Sequence, residues 1–148
     1  MIRTPLPPKL RQIQSLPPFE ACTPAELAFV AHHLSDHHAA PGDHLTVEGR
    51  SGREWVVIVE GTAVVRSGAD EIARLGPGDA FGEIALLDDG PRTATVVADT
   101  AVVSLVASLP EFRAILDVVP SVGRRVLTTM ATRLRDADER SFRAVSTT

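Results

Sequence analysis

Between residues 40 and 107 the chain never runs far without a glycine turn. Gly42-Asp43, Glu48-Gly49, Glu60-Gly61, Ser67-Gly68 and Gly76-Pro77-Gly78-Asp79 separate short runs rich in Val, Thr and Ile: 45–47, 55–59, 63–65, 72–75, 93–98 and 101–106. Many short strands with evenly spaced turns specify a sandwich or barrel, and no stretch alternates strand with helix as a parallel sheet requires. The flanks have a different period. Thr23-Pro24-Ala25-Glu26 supplies an N-cap, a proline at the first helical position and the far half of a capping box, which predicts a helix over 24–35. A shorter helix is expected around 9–15. After Pro110, residues 111–118 read as a short helix. Val122, Val126, Met130 and Leu134 then recur every four residues, which predicts an amphipathic helix over about 120–140. The fold expected is mainly β with flanking α: an antiparallel β-roll (double-stranded jelly roll) with an N-terminal helical segment and two C-terminal helices. Residues 1–15 are read as an N-terminal extension, 16–140 as one domain and 141–148 as a frayed tail.

Bulk properties bound the function. The chain has 148 residues and a formal net charge of −4, room for one domain and little chain-wide attraction for nucleic acid or an anionic membrane. Basic residues gather at the ends, with six arginines in 121–148, and are read as solvated. Cys22 is the single cysteine, so no intrachain disulfide forms and a reducing compartment fits. No secretory apolar core opens the chain, and its longest nearly apolar stretch, 96–107, is too short to span a bilayer. The expected setting is the cytoplasm, with no membrane and no direct DNA binding.

The chemistry concentrates in 81–96. Gly82 lets a ligand approach the backbone. Residues 83–87 can make one helical turn whose first amides face an anion. The turn Asp88-Asp89-Gly90-Pro91 returns Arg92, whose planar fork suits phosphate. Glu83 beside an anion site has a use if it accepts a hydrogen bond from a hydroxyl of the same ligand. An anion and a hydroxyl held together describe a sugar phosphate.

Phe81-Gly82-Glu83-Ile84-Ala85-Leu86, followed by Pro91-Arg92-Thr93-Ala94-Thr95, closely resembles the phosphate-binding cassette of the cyclic nucleotide-binding domain family, which includes protein kinase A regulatory subunits and bacterial catabolite activator proteins. The similarity extends through Pro41-Gly42-Asp43, Glu48-Gly49, Val59-Glu60-Gly61 and Leu75-Gly76-Pro77-Gly78-Asp79 and covers about residues 16–140. The resemblance implies a regulatory sensor, not an enzyme, with cAMP as ligand ahead of cGMP and no cofactor. It implies a site of Gly82, Glu83, Ile84, Ala85, Arg92, Thr93 and Ala94. Glu83 would take the ribose 2′-hydroxyl and Arg92 the cyclic phosphate, with amides of Ala85 and Thr93 donating to phosphate oxygens. Thr93 occurs in both cGMP- and cAMP-binding relatives.

In the family the last helix covers the base, and Leu127, Met130, Arg133 and Leu134 are the candidates here. Plain packing on the roll is the other reading of that stripe. A homodimer through helix 120–140, using Val122, Val126, Met130 and Leu134, is a third. A hinge near 108–110 would let the helices repack on binding. The regulated output is a partner in trans, or in cis if the chain is part of a longer regulator. A separate reading of the cassette is that Glu83 and Arg92 simply pair with each other in a folded turn; the rival class is a nucleotide-independent scaffold on the same fold, against which the intact Glu83 and Arg92 speak. His33 and His37 at helical spacing, and His44 with Glu48 in a cupin-like setting, invite a metal reading. No metal site is expected, because no cysteine ligand accompanies the histidines and Thr46 stands where the cupin pattern needs another histidine. Trp55 is read as core packing ahead of ligand stacking.

Overall fold

A computed structural model describes residues 5–46, 54–83 and 94–146, with side chains to residue 139. Among the described residues, helix α1 (Pro8–Gln14), a 3-10 helix (Pro17–Phe19) and α2 (Pro24–His32) precede eight strands. These are β1 (Ser35–Ala39), β2 (His44–Thr46), β3 (Glu54–Glu60), β4 (Ala63–Ser67), β5 (Asp70–Leu75), β6 (Ala80–Phe81), β7 (Thr95–Ala98) and β8 (Val102–Ser108). Helices α3 (Leu109–Val118) and α4 (Pro120–Ser146) close the chain. Two four-stranded sheets form, in the orders β1-β8-β3-β6 and β2-β7-β4-β5, and every pairing is antiparallel. The expected β-roll with flanking helices is the fold observed.

Alternation along the strands makes two cores. Val102 and Val106 of β8 join Val56, Ile58, Phe81, Val96 and Ala98 between the sheets. Leu105 and Ala107 point the other way, with Trp55 and Val57, onto the helices. Both faces of β3 are therefore covered, which is why Trp55–Ile58 is an unbroken apolar run. On the helical side Trp55 is wedged between Phe19, 5.9 Å away edge-on, and Phe112, 4.9 Å away and tilted. This packing bears out the core reading of Trp55.

The helix starts follow local chemistry. The Thr23–Glu26 box forms in both directions, with Thr23 N–H donating to Glu26 Oε1 at 2.9 Å and Glu26 N–H to Thr23 Oγ1 at 3.2 Å. A second box joins Ser108 to Glu111. Ser108 is at once the last residue of β8 and the N-cap of α3.

Three expectations need correction. Helix α2 ends at His32, short of 35, because His33 caps it, its Nδ1 within 2.8 Å of the Phe29 carbonyl. Residues 35–39 are an edge strand, so His33 and His37 do not share a helix face. Helix α4 passes the expected end near 140 and continues to Ser146, taking in most of the 141–148 stretch read as frayed. No glycine or proline follows Gly123 to stop it.

Candidate functional site

The site is built where β6 leaves the roll. Ala80 and Phe81 pair with Val57 and Val56 of β3. Phe81 points between the sheets, while Ala80 packs on the helical side. Gly82 then adopts φ of 101°, a left-handed conformation that a side chain would strain. This turn delivers Glu83, where the chain becomes helical, into the interior. The approach of the 3-10 helix is equally tight: a Cβ on Gly78, at φ +91°, would stand 2.7 Å from Pro17 Cδ.

Glu83 is 2% exposed. Arg133, from the fourth turn of α4, reaches it, and Arg133 Nη1 donates to Glu83 Oε1 at 2.5 Å. The second guanidinium nitrogen, Nη2, donates to the Ala80 carbonyl. One arginine thus clamps both the acid and the strand that leads to it. A buried carboxylate without such a partner would be costly, and the bridge explains how Glu83 is tolerated at depth. Glu83 Oε2 has no protein partner among the described residues. An ionised carboxylate only accepts hydrogen bonds, so this oxygen calls for a donor.

Of the residues expected in the site, Gly82, Glu83 and Ala94 are described. Ala94 sits just before β7, and its carbonyl accepts from Thr46 Oγ1 at 3.1 Å, which ties the far end of the cassette to β2. Ile84, Ala85, Arg92 and Thr93 lie outside the described residues. The described partner of Glu83 is Arg133, fifty residues away in sequence.

The α4 stripe splits. Val122 and Val126 are buried against the helical core and Met130 packs beside them, so Val122 and Val126 are unavailable to a second chain. Leu127 and Leu134 are 64% and 65% exposed, and the reading of these two as roll-packing residues is overturned. The fourfold spacing of Val122, Val126, Met130 and Leu134 does not include Arg133. That arginine turns inward because Glu83 is there to receive it.

The histidines go elsewhere. His37, His38 and His44 line a pocket of about 370 Å3 with Asp43 and Ser104, at the edge where β1 and β2 diverge. Among the described residues, no three His, Cys, Asp or Glu side chains converge as metal ligands, and no helix is long and apolar enough to cross a membrane.

A roll of two antiparallel sheets, with an acid set behind a left-handed glycine and held from the C-terminal helix, defines a small-ligand sensor domain. The family model described as "Cyclic nucleotide-binding domain" matches residues 36–118, and the chain belongs to that family. It is 31% identical over 113 residues to a cAMP-dependent protein kinase regulatory subunit of Hypocrea atroviridis, covering 76% of this chain and 24% of that one. The chain therefore spans about a quarter of that relative. Among solved structures, the catabolite activator protein of Thermus thermophilus superposes with TM-score 0.77 at 27% identity, covering 84% of this chain and 61% of that one. A cAMP-binding acyltransferase from Mycobacterium smegmatis gives TM-score 0.71 at 30% identity, covering 86% and 41%.

Proposed function

We propose that this domain is a cAMP sensor, regulatory and not catalytic, that works in the cytoplasm over residues 16–140. The observation that carries the reading is Glu83: a buried acid behind Gly82, with one oxygen that has no donor among the described residues. The ribose 2′-hydroxyl is a donor of the right kind. Gly82 and Ile84 line the sugar, Arg92 and the amides of Ala85 and Thr93 hold the cyclic phosphate, and Ala94 anchors the start of β7. A scaffold that had abandoned the ligand would have no use for a buried acid held this way.

Arg133 gives the sensor its coupling. It holds Glu83 and Ala80 from α4, so a sugar hydroxyl arriving at Glu83 meets an acid already bound to the helix. The two must then share the carboxylate or one must yield. A ligand moves such an equilibrium only by preferring one helix position over the other. Met130 and Arg133 are the covers for the base, with Leu127 and Leu134 on the outer side of the same helix.

Titration calorimetry of the protein with cAMP and with cGMP tests this directly. Saturable binding of cAMP, tighter than cGMP, is expected; no heat from either overturns the proposal. The regulated partner would act on α4, in trans or within a longer chain. Leu127 and Leu134, seven residues apart and both exposed, also suit a second copy of the helix. Sedimentation should then show a dimer that Leu134→Glu converts to monomer; a monomeric wild type at tens of micromolar, about the range of weak association, removes the homodimer.

A further inference from the structure

Glu83 is closed off by its own chain. Its side chain is 3% exposed, and Arg133 Nη1 holds Oε1 at 2.5 Å. Oε2 is buried, with no partner among the described residues. A sugar hydroxyl therefore reaches this carboxylate only after part of the surrounding wall has moved. The strand side of that wall is fixed. Ala80 and Phe81 are paired to β3, and Phe81 is buried between the sheets. The helix side has somewhere to go. The Arg133 side chain is 36% exposed, so a guanidinium that leaves the acid rehydrates. Among the described residues, Arg133 is also the last of α4 to make a hydrogen bond or ion pair with the roll.

We propose that Arg133 is an autoinhibitory contact: its guanidinium occupies the acid that the sugar needs, and the 2′-hydroxyl of the ligand displaces it. This inference rests on Glu83 being the sugar ligand, and it decides which of the two yields. The planar fork suits the task, because one nitrogen takes Glu83 while the other takes the Ala80 carbonyl. Binding then exchanges one charge-assisted hydrogen bond for another, and the fraction of chains with Arg133 withdrawn scales the apparent affinity. The coupling is reciprocal. By the factor that the arginine weakens the ligand, the ligand weakens the hold of α4 on the roll. An occupied site thus releases the outer part of α4, with the exposed Leu134 on it.

The test uses the full chain and two nucleotides. Arg133→Ala should tighten cAMP about tenfold, the gain from one charge-assisted bond no longer to be displaced. It should leave 2′-deoxy-cAMP, which makes no demand on Glu83, unchanged. Weaker binding of cAMP by the variant, or equal binding by variant and wild type, overturns the proposal and leaves the sensor reading standing. In the wild type, amide hydrogen exchange over residues 131–139 should quicken when cAMP is added and stay as it was with 2′-deoxy-cAMP. Slower or unchanged exchange with cAMP bound overturns the proposal even where Arg133→Ala fails to fold. If neither wild type nor variant binds either nucleotide, the sensor reading itself falls and the proposal goes with it.

Discussion

Arg92→Ala is expected to weaken cAMP binding by at least about tenfold to a hundredfold, as loss of one or more charge-assisted hydrogen bonds worth about 1.5–3 kcal/mol each requires. The loss should be the same for cAMP and 2′-deoxy-cAMP, because Arg92 is assigned to the phosphate that both carry. Glu83→Ala should behave differently. It removes the acceptor for the 2′-hydroxyl, so cAMP weakens while 2′-deoxy-cAMP changes little. It also releases Arg133 from its bridge. That side chain is partly open to solvent, so the freed guanidinium can rehydrate and the fold survives. Calorimetric titration of both ligands against both variants separates the two roles. If Arg92→Ala binds cAMP as tightly as wild type, the assignment of the phosphate to that side chain is wrong.

Phe112→Ala should lower the unfolding free energy by about 3–5 kcal/mol, the range for deleting a large aromatic from a core that cannot collapse around the gap. Phe112 is fully buried, lies against Trp55 and sits one turn into α3. Around it, α3, β3 and the 3-10 helix meet, so the cavity would be walled by three rigid elements. Urea unfolding should show the midpoint falling with little change in slope, since a folded state of the same extent is being lost. A loss below about 1 kcal/mol would mean that the helical core is far more plastic than close packing allows.

Much of this architecture could be read from sequence because its signals are local. The Thr23–Glu26 box needs four residues, and glycine turns mark strand ends wherever they occur. β1 was missed because Ser-Asp-His-His-Ala carries no apolar alternation. It is an exposed edge whose strand character comes from main-chain pairing to β8. β6 has two residues, too few for any period to show. Glu83 was legible through its motif, whereas its bridge to Arg133 was not, because helical periodicity sorts an arginine outward unless a buried acid is known to wait for it.

Because Ser108 ends a strand and begins a helix in the same residue, β8 and α3 meet with no loop between them, and the hinge expected at 108–110 falls on that junction. Val119, the single non-helical residue between α3 and α4, is set at φ −121° and ψ 85° and is fully buried, its N–H donating to the Ile115 carbonyl at 2.8 Å. On the proposed sensor reading, an occupied cleft would reach the long helix through the Arg133 tether on its shaft, while its root is seated in the core at Val119.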